Sequence, residues 1–186
     1  MNILKKEEIY TISDIYALPD GERAELIDGQ IYYMAPPSAM HQRVLNFLST
    51  EINLYIRKNH GMCEVFPAPF AVFLSENGKN YVEPDLCIIC NRSQITEKGC
   101  NGAPDWVIEI VSPSSKQMDY YTKLFKYRAT GVREYWIVDP EKKLVTVYQF
   151  EKETAEQYSF SDIVPVGIYQ NFTITFSDFS AFPSNI

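Results

Sequence analysis

Two carboxylates stand where charge is expensive. Asp85 follows Pro84 and opens the apolar run Leu86-Cys87-Ile88-Ile89, while Glu109 lies inside Trp106-Val107-Ile108-Glu109-Ile110-Val111. Lys123 follows Glu109 by 14 residues. The two runs read as β-strands, because β-branched and aliphatic residues crowd them. A carboxylate in a strand buried on both faces costs several kcal/mol unless something compensates it. Two of them on paired strands also repel each other, by about 4 kcal/mol at ~4 Å and an effective dielectric of ~20. A divalent cation between them removes the problem. Carboxylate oxygens suit Mg²⁺ or Mn²⁺, with water and a substrate phosphate completing the octahedron. Such an ion lowers the pKa of its water and steadies charge building on phosphorus, and a lysine ammonium neutralises the attacked phosphate or positions the nucleophile. The set Asp85, Glu109, Lys123 therefore points to phosphodiester hydrolysis, with Asp85 and Glu109 as metal ligands. Each member alone has a bland alternative: an Asp after Pro is often a turn residue, and a helical Lys is usually solvated. Glu109 is hardest to dismiss, because its apolar neighbours leave it no solvated face.

The elements that must position these residues follow from the order of the chain. Thr11 caps a short helix over Ile12–Leu18, ended by Pro19-Asp20-Gly21. Ala24–Ile27 and Gln30–Met34 flank Asp28-Gly29, the dipeptide that type I′ hairpin turns favour. Ser38 caps a long helix with apolar positions at Val44, Leu45, Leu48, Ile52, Tyr55 and Ile56, closed by Gly61. Met62–Leu74 reads as an edge or bulged strand broken by Pro67 and Pro69. The Asp85 strand follows, then a polar loop over Asn91–Pro104 and the Glu109 strand. A helix over Met118–Thr130 ends at Gly131. Strands at Glu134–Val138 and Leu144–Phe150 and a tail of short strands from Tyr158 to Phe182 complete the chain. From Ser38 the order is helix, three strands, helix, strand, an α/β layout with a mixed sheet covered by helices. A simple meander makes the Asp85 and Glu109 strands neighbours.

The 186 residues suit one domain, with residues 1–37 as an N-terminal helix and hairpin, 38–150 as the core and 151–186 as C-terminal strands. A hydrophobic fraction of 46% fits a globular chain. Met1–Glu8 lacks a leader-like apolar run, and no run approaches the ~18 residues of a membrane span. A cytoplasmic protein with reduced thiols at Cys63, Cys87, Cys90 and Cys100 is expected. The net charge of −7 argues against broad electrostatic binding of nucleic acid. Between Lys116 and Arg133, however, five basic residues meet one acid, a local +4 able to face a phosphate.

The same residues carry a family resemblance. Pro84-Asp85, Val107-Ile108-Glu109-Ile110-Val111-Ser112-Pro113-Ser114, Asp119 with Lys123, and Gly131-Val132-Arg133-Glu134-Tyr135-Trp136-Ile137-Val138-Asp139-Pro140 resemble the Uma-two family of restriction endonucleases, part of the PD-(D/E)XK nuclease superfamily. Glu25-Leu26-Ile27-Asp28-Gly29 and Pro36-Pro37-Ser38 with His41 extend the likeness to most of the chain. It implies a restriction-endonuclease-like core and a Mg²⁺- or Mn²⁺-dependent endonuclease acting on DNA. Asp85 and Glu109 would be the metal ligands, with the Ile110 backbone carbonyl as a third. The superfamily places its lysine two residues after the acid, where this chain has Val111, so Lys123 would be a lysine moved to the next helix. Lys116 and Lys126 compete for that role. Asp119 would orient Lys123 by an i, i+4 pair. Glu25 is either an outer metal ligand acting through water or a hairpin salt-bridge partner. His41 either donates to a phosphate or caps a strand.

Cys87-x-x-Cys90 has zinc-like spacing, but residues three apart on a strand face opposite ways, so buried thiols are the better reading. Acyl-hydrolase and phosphate-loop motifs are absent from the sequence. Tyr120, Tyr121 and Tyr127 read as core or helix-face residues. The rival to a nuclease is a non-catalytic module that keeps the fold and grips nucleic acid or another protein. Under either reading an edge strand and abundant aromatics favour a homodimer.

Overall fold

The structure is a computed structural model describing residues 9–75, 77–176 and 179. Met1–Glu8 and the end of the tail to Phe182 lie outside them, apart from residue 179. Helix α1 (Ile12–Tyr16) is shorter than expected. It leads into the hairpin β1 (Ala24–Ile27) and β2 (Gln30–Tyr33), whose turn has positive φ at both Asp28 (52°) and Gly29 (79°), as a type I′ turn requires. Helix α2 (Ala39–Lys58) begins where Ser38 Oγ accepts the His41 N–H at 3.2 Å. Its end is turned by His60, at φ 53°, while the Gly61 N–H closes onto the Ile56 carbonyl.

The single strand expected over Met62–Leu74 is two: β3 (Glu64–Pro67) and β4 (Val72–Phe73), in different sheets. Strands β5 (Tyr81–Val82) and β6 (Leu86–Ile89) follow. The expected polar loop at 91–104 holds β7 (Ile95–Thr96) and β8 (Gly99–Asn101) before β9 (Trp106–Ile110). The next helix begins as a π-helical turn, Met118–Lys123, and continues as α3 (Leu124–Thr130), with Gly131 in the left-handed conformation at φ 97°. Strands β10 (Glu134–Asp139), β11 (Leu144–Gln149) and β12 (Thr154–Ser159) and the hairpin β13 (Ile163–Pro165) and β14 (Thr173–Thr175) complete the described chain.

The main sheet runs β12-β11-β10-β9-β6-β3, parallel between β9 and β10 and antiparallel elsewhere. It is the mixed sheet of the expected α/β restriction-endonuclease-like core: α2, then β3, β6 and β9, then α3, then β10. Its central strands β6, β9 and β10 are buried on both faces. Leu86, Ile88, Trp106, Ile108 and Trp136 pack on Val44, Leu48 and Ile52 of α2. Cys87, Ile89, Val107, Tyr135 and Ile137 on the opposite face meet Tyr127 and Val132, together with Val72 and Val82 of the second sheet, β2-β1-β5-β4-β8-β7. Glu109 shares the β9 face of Val107, by the period of two, and so points toward α3.

The expectation of four reduced thiols is corrected. The antiparallel register pairs Glu64 with Ile89, so Cys63 and Cys90 lie opposite each other one step further on, and they form a disulfide. Cys87 and Cys100 are buried free thiols. Cys87 faces the second cluster and Cys90 packs against the first, the opposed directions that rule out a shared metal.

Candidate active site

Register brings the two strand acids together. Leu86 pairs with Ile108. One step before it Asp85 stands across from Glu109, its backbone N 3.4 Å from Glu109 Oε2. Asp85 sits just outside β6, where its carboxylate turns back onto the next strand: Oδ2 accepts the Ile110 N–H at 2.7 Å. The same oxygen lies 3.1 Å from His41 Nε2. His41 Nδ1 is buried without a hydrogen-bond partner among the described residues. His41 thus reaches Asp85 from the first turn of α2, a contact that sequence reasoning did not name.

Lys123 gathers the remaining acids. Its Nζ is 2.8 Å from Glu25 Oε2, 2.9 Å from Glu109 Oε1 and 3.8 Å from Asp119 Oδ1. The Asp119 contact is the expected i, i+4 pair, made inside the π-helical turn. Glu25 also accepts the Glu83 N–H on Oε1 at 3.0 Å, so it is a ligand of the ammonium, bridging β1 to the site. The Tyr127 hydroxyl donates to Glu109 Oε1 at 2.7 Å. Lys123, Glu25, Glu109 and Asp119 are 5, 4, 3 and 1% exposed.

Burial works against the Lys123 ammonium, but Glu109, Glu25 and Asp119 more than reverse this and hold its pKa well above the ordinary lysine value. Burial pushes the Glu109 carboxyl upward, opposed by Lys123. Burial likewise raises Asp119, to about 6, against the pull of Lys123. Burial and then Glu109 raise Tyr127, keeping it a protonated donor. Glu25, Glu109, Asp119 and Asp85 set against one ammonium leave the cluster short of positive charge.

These residues line a cleft of about 1210 Å³. Glu25, His41, Asp85, Glu109, Ile110, Asp119 and Lys123, every candidate named from sequence, border it together. Of the two competing lysines, Lys116 lines the cleft as well, whereas Lys126 binds Asp28 elsewhere. The local +4 is largely spent within the fold: Lys123 and Lys126 are paired as described, Arg128 with Glu153, and Arg133 with Asp105 and Glu151. Two neighbours escaped sequence reasoning. Tyr127 reads as core, and only the acid it faces marks it as more. Asp139 reads as a turn residue, yet it is 2% exposed and lines the cleft, Oδ1 accepting the Lys142 N–H while Oδ2 has no hydrogen-bond partner among the described residues.

Among the described residues no three His, Cys, Asp or Glu side chains form a closed metal cage. Asp85 and Glu109 form an open pair instead, which fits Mg²⁺, an ion that takes one or two carboxylates and fills its shell with water and substrate phosphate. The shortage of positive charge favours a cation at the same place.

The chain is similar to known proteins over most of its length. The Uma2 family, described as "Putative restriction endonuclease", matches residues 12–176. An uncharacterized protein of Synechocystis sp. (strain ATCC 27184 / PCC 6803 / Kazusa), sll1609, is 28% identical over 131 residues, covering 69% of this chain and 72% of that one. The crystal structure of a protein from Anabaena variabilis ATCC 29413, described as "a putative nuclease belonging to DUF820", superposes with a TM-score of 0.73 at 24% identity, covering 90% of this chain and 96% of that one. At that identity the likeness is one of fold.

Proposed function

This chain belongs to the Uma2 family, and from that premise we propose that it is a metal-dependent endonuclease hydrolysing phosphodiester bonds, with DNA as the substrate. The observation that carries the reading is the convergence of Asp85, Glu109 and Lys123 at the floor of one cleft, Glu109 touching the backbone of Asp85 on one oxygen and the ammonium on the other. Asp85 and Glu109 would hold Mg²⁺ or Mn²⁺, with the Ile110 carbonyl as third ligand. When bound, the metal supplies Lewis acidity and a water of lowered pKa.

The chain's own groups do the rest. His41 and the Ile110 N–H fix the Asp85 carboxylate from two sides. Tyr127 and Lys123 fix Oε1 of Glu109, which leaves Oε2 toward Asp85. Lys123 keeps its proton throughout and places positive charge beside the phosphate, where charge accumulates during attack. Two copies pairing along the exposed edge strand β12, beside Phe125, would form the homodimer.

The test is cleavage of labelled DNA and RNA with Mg²⁺ or Mn²⁺ against a chelator, with Asp85→Asn alongside. Cleavage lost in both controls is the expected result. Full activity in Asp85→Asn sinks the assignment. Binding without metal-dependent cleavage instead favours the non-catalytic module, a reading to which the ion-paired state of Arg23 and Lys123 in the cleft lends weight.

A further inference from the structure

We propose that the cleft takes its substrate as an unpaired strand, a single-stranded DNA or RNA segment held by stacking of its bases, rather than as a duplex held by its phosphates. The proposal rests on the nuclease reading above and narrows its substrate.

The first observation is charge. Arg23, Lys116 and Lys123 line the cleft with seven carboxylates, Glu83, Asp139 and Glu141 adding to the four acids of the floor. Arg23 is already bound to Glu83, and Lys123 to Glu25 and Glu109. Duplex binding draws its affinity from lysines and arginines that displace counterions from closely spaced phosphates. This lining works against that mode.

Depth is the second observation. Glu25, Glu109, Asp119 and Lys123 are at most 5% exposed, so the reacting phosphate must descend to them. A duplex is stiff over ~150 base pairs and cannot follow a recess without being bent or kinked at a cost in free energy. A single strand, with freely turning torsions, can.

The rim is the third. Tyr32 of β2, 37% exposed, and Met40 of α2, 40% exposed, border the same cleft; Tyr32 pairs with Glu25 across β1 and so shares its face, whereas Tyr33 pairs with Ala24 and faces the other way. Two elements thus present aromatic and thioether surface to solvent at the border of the cleft that holds the acids. Aromatic faces accept any base, which is how single strands are held without sequence preference, and a methionine adapts its shape to what lies on it.

Fluorescence anisotropy of the full chain tests this, using one oligonucleotide sequence labelled as single-stranded DNA, single-stranded RNA and DNA duplex, with Ca²⁺ in place of Mg²⁺. Single strands should bind at least about tenfold more tightly than duplex, Tyr32→Ala should weaken them roughly 5- to 150-fold, and Tyr32→Phe should bind as wild type. The preferred arm, DNA or RNA, identifies the sugar. Tyr32 lies on an edge strand and is partly exposed, so both variants should fold, which their melting temperatures check. Duplex bound as tightly as single strands, an unaffected Tyr32→Ala variant, or no oligonucleotide bound at all overturns the proposal. Cleavage assayed in parallel separates it from its premise. Single strands bound but never cut would end the nuclease reading and leave the stacking cleft, whereas cutting confined to duplex would do the reverse.

Discussion

Lys123 is the cation on which three buried carboxylates depend. Lys123→Met strands Glu25, Glu109 and Asp119 away from water, a situation that costs about 3–5 kcal/mol when one partner of a buried ion pair is removed. Urea denaturation at neutral pH should show this loss, and unchanged stability would mean that Lys123 is a solvated bystander. Asp119 gives a pH signature. Its carboxyl is raised from 3.8 to about 6, so the folded chain holds that proton more tightly than the unfolded one. The resulting stability is present below the unfolded value and disappears as pH rises through about 6. Between those limits the melting temperature of wild type should fall relative to Asp119→Asn, and parallel curves would refute the shift. At Asp85 the expectation from charge alone, that removing a carboxylate relieves repulsion, now competes with two hydrogen bonds. Asp85→Ala leaves the Ile110 N–H without its acceptor at a cost of about 1–3 kcal/mol, while Asp85→Asn retains an oxygen there. Denaturant midpoints should therefore rank Asn above Ala. Asp85 and Glu109 were legible because charge inside apolar sequence needs an explanation, and Lys123 because its order after them resembles the family pattern. Tyr127 was not, because a tyrosine among apolar neighbours is what any core helix contains.

The elements explain how residues so far apart in sequence meet. A lysine two positions after Glu109 would share its strand face; here the ammonium arrives from a π-helical turn that also carries Asp119. Such turns insert an extra residue into a helix and often accompany functional sites. Nothing in Met118-Asp119-Tyr120-Tyr121-Thr122-Lys123 marks π over α geometry, so only the helix itself could be read from sequence. The second sheet was hidden for another reason: β4, β5 and β7 have two residues each, too few for a period of two to register. Helix α2, by contrast, was readable from its cap and apolar spacing. That cap matters at the site, because Ser38 Oγ accepts from the backbone of His41, whose ring holds Asp85. Ser38→Ala should lower stability by about 1 kcal/mol in urea titration. If Asp85 depends on His41, any residual cleavage should fall further than that loss of folded protein accounts for.

Across the whole molecule, charge is arranged as an acidic body whose basic segment is paired internally, which leaves the acid-lined cleft as the place where a divalent cation improves the balance. Mn²⁺ at a hundredfold excess over its dissociation constant should stabilise the fold by about 2.7 kcal/mol through mass action. Calorimetry should show a rise in melting temperature for wild type and none for Asp85→Asn. An equal rise in both would place the ion elsewhere.

Reduction of the link between Cys63 and Cys90 would give the protein a second covalent form. Material taken from a reducing cytosol and material exposed to air differ in whether the far end of β6, the strand that Asp85 precedes, is tied to the chain leaving α2. Batch history thereby becomes a biochemical variable: intact mass under non-reducing conditions belongs beside every rate, and a preparation containing both forms should give biphasic titrations wherever the tether changes the hold on Asp85.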